Sequence, residues 1–188
     1  MPLYEHVFLA RIADALPLPL RLGYTLKAWL GKVPVPPPGT GEDLGPRLAR
    51  AAPDFSPTPA GPEDLALLQY TGGTTGRPKA AMLTQRNLVA NVEQSRVWER
   101  ANEEGRDTAL LAIPFFHVYG MTIGMNLSVR TARTMVLHAR WDAREVLKSI
   151  ARHRPRIFPG IQRFYQDLAA HPQAGAYDLR SVEVCISG

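Results

Sequence analysis

The sequence predicts an α/β fold, a mixed or parallel sheet with flanking helices, over residues 63–188. Three observations predict it. Beyond Pro62, short apolar runs of strand length alternate with longer segments whose apolar residues recur at helical spacing, as in chains built from βα units. Two of those helical segments follow a residue whose side chain can cap them, Thr84 and Asp142. The composition, 45 % apolar and 21 % charged over 188 residues, is enough for a real core and excludes global disorder, a collagen-like repeat and a coiled coil.

Taken in order, the chain opens with an apolar stretch at His6–Ile12, then Leu16–Leu20 interrupted by Pro17 and Pro19. Leu22, Leu26, Trp29 and Leu30 follow at helical spacing, with Arg21, Lys27 and Lys32 around them. Packing against the rest of the protein is the first reading of this helix; an amphipathic element on a membrane surface is the second. Nine of the 17 prolines crowd Val33–Pro62. Proline donates no amide hydrogen and fixes φ, so no central strand can run there. A brief helix at Leu48–Ala52 within an extended surface connection is expected. Residues 1–62 therefore form an N-terminal segment and Pro-rich connection.

Strands are expected at Leu65–Gln69 and Ala80–Leu83, then a helix over Gln85–Trp98 behind Thr84. Ala109–Ile113 reads as a strand, Met121–Val129 as a buried helix and Thr134–Leu137 as a strand. A helix capped by Asp142 runs to His153, followed by a strand at Ile157–Phe158, a helix at Gln162–Ala169 and a strand at Val182–Ile186. No internal repeat is visible. Ala109–Val129 carries no charged side chain, but Pro114, Gly120 and Gly124 break it, which suits a soluble core better than a membrane span. The strand at Val182–Ile186 is followed only by Ser187-Gly188, a pair that ordinarily opens a loop, so the chain is expected to be a middle piece of a longer protein.

The single cysteine, Cys185, excludes an internal disulfide and a multi-cysteine zinc site and suits a reducing compartment. Glu5, Arg11 and Asp14 interrupt any signal-peptide pattern. The net charge of +5 is uneven: Arg130 to Arg163 holds nine Arg or Lys against Asp142 and Glu145. Without an aromatic ladder or nucleic-acid motif, a solvated helix face is preferred to a nucleic-acid surface, and no nucleic-acid partner is expected.

The segment Tyr70-Thr71-Gly72-Gly73-Thr74-Thr75-Gly76-Arg77-Pro78-Lys79 joins two expected strands. Its glycines remove side-chain bulk and let successive N–H groups converge on an anion. Thr71, Thr74 and Thr75 add hydroxyls that can bond phosphate oxygens or coordinate Mg²⁺, and Arg77 and Lys79 add positive charge. The bland reading is a Gly/Thr hairpin with nothing bound; the density of hydroxyls and cations favours a polyphosphate grip. It is not a Walker loop, because Arg77-Pro78 separates Gly76 from Lys79 and Pro78 opposes a helix starting at the glycine.

This segment resembles the phosphate-binding signature of the acyl-adenylate-forming enzymes, which include acyl-CoA synthetases, luciferases and peptide-synthetase adenylation domains. Leu65–Gln69 before it and Ala80–Asn91 after it are similar to the long-chain fatty acid–CoA ligase form. A second block, Ile113-Pro114-Phe115-Phe116-His117-Val118-Tyr119-Gly120-Met121, resembles that family's next motif, and Ile157–Gly160 and Val184–Gly188 also fit. The resemblance covers about Asp64 to Gly188 strongly and the first sixty residues weakly.

The resemblance implies a fragment of the large N-terminal domain of such an enzyme. It implies that Tyr70, Thr71, Gly72, Gly73, Thr74, Thr75, Gly76 and Lys79 bind the ATP phosphates, with Thr74 a ligand of Mg²⁺ and Lys79 steadying the loop. His117 would be the catalytic candidate beside the α-phosphate and acyl carbonyl. His117, Val118, Tyr119, Gly120 and Met121 would line the mouth of the acyl pocket. The implied reaction joins a fatty acid to AMP and then to CoA, releasing pyrophosphate, with no covalent step at Cys185. A cytoplasmic enzyme, peripheral at the inner face of the membrane and homodimeric when whole, is expected. The 188 residues alone are expected to be inactive. The competing readings are a non-catalytic remnant binding polyphosphate or a partner chain, and a basic surface-binding module.

Overall fold

The computed structural model describes residues 6–32, 39–71, 79–99 and 103–188. They fall into two units, Met1–Thr58 and Pro59–Gly188.

In the first unit a two-residue strand β1 (Phe8–Leu9) pairs in parallel with β2 (Glu42–Asp43). Helix α1 (Leu18–Trp29) starts behind Pro17 with Pro19 in its first turn, where no amide hydrogen is needed. It ends at Gly31 in the left-handed region, with Gly31 N–H donating to Ala28 and Lys32 N–H to Lys27, an arrangement that satisfies the last carbonyls. No residue of α1 is buried. Helix α2 (Leu44–Ala49) begins four residues before the expected Leu48–Ala52; Pro46 falls in its first turn and is accommodated there.

The second unit begins with an antiparallel pair, β3 (Leu65–Thr71) and β4 (Lys79–Thr84), in which Thr71 faces Lys79. Thr84 then caps α3 (Gln85–Trp98): its hydroxyl accepts from Asn87 N–H while the Asn87 side chain accepts from Thr84 N–H, satisfying two otherwise orphaned donors. Strand β5 (Thr108–Leu111) leads into a π-helical stretch, Gly120–Asn126, that continues as α4 (Leu127–Arg130). The buried helix expected at Met121–Val129 is thus two helical forms in series. Its buried residues are Gly120, Thr122, Gly124, Leu127 and Ser128, whereas Val129 is exposed.

There follow β6 (Thr134–Leu137), α5 (Ala143–His153), β7 (Ile157–Gly160), α6 (Gln162–Ala169) and β8 (Val184–Ser187). The four strands form one parallel sheet in the order β6-β5-β7-β8. Successive side chains of a strand point to opposite faces. Leu110 and Ala112 accordingly join Val146, Leu147 and Ile150 of α5, Phe158 and Leu168 in one core cluster. Ala109, Leu111 and Ile157 form the other, with Phe115, Met135 and Val184. Asp142 caps α5 by accepting from Glu145 N–H at 3.0 Å. Its replacement by alanine is expected to cost about 1 kcal/mol, read as a melting temperature lower by about 2–4 °C.

Ion pairs account for most of the basic segment. Arg130 pairs with Glu93 and Glu104, Arg133 with Glu99, Lys148 with Glu145, Arg154 with Asp178, Arg156 with Asp107, and Arg163 with Asp167. The charge that stands out in sequence is therefore largely spent within the unit. Among the described residues no helix is long and apolar enough to cross a membrane.

Candidate functional site

The strand order makes a crevice. From β5 the chain moves to β6 on one side, and from β7 it moves to β8 on the other. Adjacent strands whose connections depart in opposite directions leave an opening at their carboxyl ends, where parallel α/β sheets bind ligands. The segment that leaves β5 at this opening is Ala112–Tyr119.

That segment is a tight turn held by its own backbone. His117 N–H donates to Pro114 O at 3.1 Å and Met121 N–H to His117 O at 2.8 Å. Tyr119 N–H donates to Nδ1 of the exposed His117 ring at 3.2 Å. With Nδ1 accepting, the neutral ring carries its proton on Nε2 and offers a donor there. Gly120 sits against the start of the turn: a Cβ at this position would lie 2.3 Å from Pro114 O, so no larger residue fits without moving backbone.

Tyr119 reaches across the strand ends. Its hydroxyl donates to Ile186 O of β8 at 2.7 Å, and the Tyr165 hydroxyl shares itself between Ile186 O at 2.7 Å and Phe158 O at 2.8 Å. Burial pushes the Tyr119 phenol up to about 12 and also raises that of Tyr165. Both remain neutral donors at physiological pH. Tyr165 in turn stands over Gly160, whose missing Cβ would be 2.9 Å from the hydroxyl.

Beside this brace runs an apolar groove of about 330 Å³, lined by Gln94, Ser95 and Trp98 of α3, Ile123, Leu127 and Ile186. Ser95 turns its hydroxyl back onto Asn91 O at 2.8 Å, and Gln94 is the other polar residue of the lining. Of the residues expected at the pocket mouth, Val118 and Met121 are partly exposed. Tyr119 and Gly120 serve the turn and its brace, and the groove wall is formed one and two turns further on by Ile123 and Leu127. The α3 contribution went unmarked in sequence because Gln94, Ser95 and Trp98 read there as an ordinary helix face.

Of the residues expected to bind phosphate, Tyr70 and Thr71 end β3 and Lys79 begins β4. Tyr70, Thr71 and Lys79 are exposed, and the Thr71 hydroxyl donates across the pair to Lys79 O at 3.3 Å. Gly72, Gly73, Thr74, Thr75 and Gly76 lie outside the described residues, as do Arg77 and Pro78. Among the described residues no group of three His, Cys, Asp or Glu could hold a metal ion.

At the opposite, amino-terminal edge of the sheet, Arg156 grips Asp107 through Nε and Nη2 at 2.7 and 2.6 Å. Burial raises the Asp107 carboxyl, but the bonds from Arg156 and from Glu103 N–H prevail and hold it below the usual range. This cluster ties β5 to β7, far along the strands from the crevice.

Residues 25–188 match the AMP-binding enzyme family. Over 125 residues the chain is 46 % identical to a long-chain-fatty-acid–CoA ligase of Bacillus subtilis (strain 168), covering 66 % of this chain and 22 % of that protein. It is 36 % identical over 139 residues to a feruloyl-CoA synthase of an Amycolatopsis species, covering 73 % of this chain and 28 % of the relative. The chain thus spans roughly a quarter of these relatives' length. Among solved structures it is similar to the inhibitor-bound N-terminal domain of FACL13 from Mycobacterium tuberculosis, with a TM-score of 0.68 and 26 % identity over 89 % of this chain and 42 % of that one. It is also similar to the Bacillus subtilis O-succinylbenzoate CoA synthetase in complex with ATP and magnesium ion, with a TM-score of 0.65 and 28 % identity over 78 % of this chain and 30 % of that one.

Proposed function

The chain belongs to the AMP-binding enzyme family, and from that premise we propose that it supplies the phosphate grip and acyl groove of a long-chain fatty acid–CoA ligase. The observation that carries this reading is the position of the Pro114–Gly120 turn at the crevice between β5 and β7, with the apolar groove beside it. The groove lining of Trp98, Ile123, Leu127 and Ile186 suits an aliphatic chain, and the 46 % identity to a long-chain ligase favours a fatty acid over an aromatic acid.

In the proposed reaction a carboxylate oxygen attacks the α-phosphorus of ATP, the bond to the bridging oxygen breaks, and pyrophosphate leaves. The CoA thiol then attacks the acyl carbonyl and displaces AMP. The chain's part is to hold anions in line and offset the charge that builds on their oxygens. His117, with its Nε2–H free to donate, is suited to a carboxylate or phosphate oxygen beside the turn. The glycines and threonines of residues 71–76 cradle the β- and γ-phosphates through backbone N–H groups. Thr74 is the residue that would help hold Mg²⁺, which would offset the negative charge of the phosphate oxygens.

ATP–pyrophosphate exchange tests this in a full-length ligase carrying these residues, against a panel of fatty and hydroxycinnamic acids. Exchange stimulated by long-chain fatty acids, with AMP as product, is expected; release of ADP overturns the reading. In the same assay Thr74→Ala is expected to slow exchange by about tenfold to a hundredfold, the loss of one bond to a charged group.

A further inference from the structure

The carboxyl end of β7 loses one of its two neighbours. β7 is in register with β5 at a single position, Ala109 against Ile157, but with β8 at four, Ile157 to Gly160 against Val184 to Ser187. Backbone groups of alternate residues in a strand turn toward the same neighbour. After Ile157 the next residue facing β5 is therefore Pro159, which has no N–H to donate. The β5–β7 ladder stops there and the crevice opens. What then fixes the end of β7 is its bonding to β8 and to α6.

Tyr165 of α6 supplies part of that bonding. Its single O–H is shared between Phe158 O of β7 and Ile186 O of β8, so one side chain ties both strand ends to the helix. Its ring meets Phe158 edge-on, with centroids 5.4 Å apart, and lies over Gly160, where a Cβ would sit 3.0 Å from the ring carbon Cζ. Tyr119 repeats the pattern from the turn. Its hydroxyl takes the same Ile186 O, and its ring covers Gly188, where a Cβ would lie 3.1 Å from the nearest ring carbons. Gly188 N–H in turn donates to Gly160 O at 3.3 Å. Two glycines bonded to each other thus each carry a tyrosine ring, and one carbonyl joins the two hydroxyls.

Tyr119 belongs to the turn that carries His117, and its N–H donates to the His117 ring. A continuous set of bonds therefore runs from α6 through Ile186 O to the imidazole. We propose that Tyr165 is a positioning residue: through the carbonyl of Ile186 it fixes Tyr119, and through Tyr119 it holds His117 in place for adenylation. The role in adenylation rests on the ligase reading; the bracing of the turn does not.

Tyr165→Phe is the test, since it keeps the ring and removes only the hydroxyl. In a full-length ligase carrying these residues, the maximal rate of ATP–pyrophosphate exchange is expected to fall by about tenfold, with KM for ATP and for the acid within about twofold of the parent. Placed on His117→Ala, the same change should cost less than about twofold, because the group it positions is gone. An equal loss in both backgrounds, or no loss in either, overturns the proposal. In the 188-residue chain, amide hydrogen exchange reads the brace without turnover. Tyr165→Phe is expected to speed exchange at His117, Tyr119 and Met121 by about fivefold, with the amides of α5 unchanged. Exchange that stays at the parent rate at these three amides, or rises equally throughout the unit, overturns the bracing itself. A full-length parent that makes no AMP fails the ligase reading instead, and the amide measurement then decides on Tyr165.

Discussion

Glu99→Ala is expected to lower the melting temperature of the α/β unit by about 10–20 °C. The Glu99 and Arg133 side chains are each 1 % exposed and meet in two parallel bonds, Nη2 to Oε2 at 2.6 Å and Nη1 to Oε1 at 3.3 Å. Arg133 Nε donates to the Thr131 hydroxyl at 2.8 Å, which donates to Leu127 O at 2.7 Å. Removing the carboxylate strands a buried guanidinium, and breaking such a pair costs about 3–5 kcal/mol. Replacing both members by apolar residues, Glu99→Leu with Arg133→Met, removes the uncompensated charge and should cost less than the two single changes added together. Thermal unfolding followed by circular dichroism measures all of these. A single variant melting within about 2 °C of the parent would mean that water reaches the site and solvates the remaining charge. The pair also bears on the groove, because Glu99 ends the helix that carries Gln94, Ser95 and Trp98, and Leu127 O belongs to the opposite wall.

Local signals were the legible ones. Thr84 and Asp142 mark helix starts because a cap acts over three residues, and both cap in the structure. The order of strands and helices after Pro62 follows from apolar periodicity, and the boundaries move by only one or two residues. What could not be read depends on groups distant in sequence. Glu99 and Arg133 are 34 residues apart, and in sequence each looks like a surface charge. Tyr119 and Tyr165 converge on the carbonyl of Ile186, an acceptor that every residue possesses and no motif marks. The excess of arginine between Arg130 and Arg163 read as a solvated helix face because its acidic partners, among them Glu93, Glu99, Asp107 and Asp178, lie outside that window. The strand order, and with it the crevice, is likewise a property of the folded sheet alone. The motif at Pro114–Gly120 was legible as a resemblance, and its place after a strand through the strand expected at Ala109–Ile113; the approach of Tyr119 to β8 was not.

Gly120→Ala is expected to reduce ATP–pyrophosphate exchange by on the order of a hundredfold in a full-length ligase carrying these residues. A methyl group there would sit 2.3 Å from Pro114 O, 3.0 Å from Pro114 C and 3.1 Å from Ile113 Cγ2. The first two are backbone atoms, and Pro114 O is already held by His117 N–H, so no side-chain rotation relieves the clash. An ordinary contact returns only if the turn moves by about 1 Å, and a displacement of that size at a reacting group costs on the order of a hundredfold in rate. Because the turn positions His117 and, through Tyr119, the end of β8, the loss should fall on turnover more than on melting temperature. Gly124→Ala is the control one turn along the same helix. Its added methyl would meet Phe115 at 3.5 Å and Leu111 at 3.6 Å, ordinary contacts, and alanine is favoured over glycine inside a helix by about 1 kcal/mol. That variant should keep its exchange rate and melt no lower than the parent. Equal exchange by the two variants would separate His117 from the reacting groups and leave the turn a purely structural element.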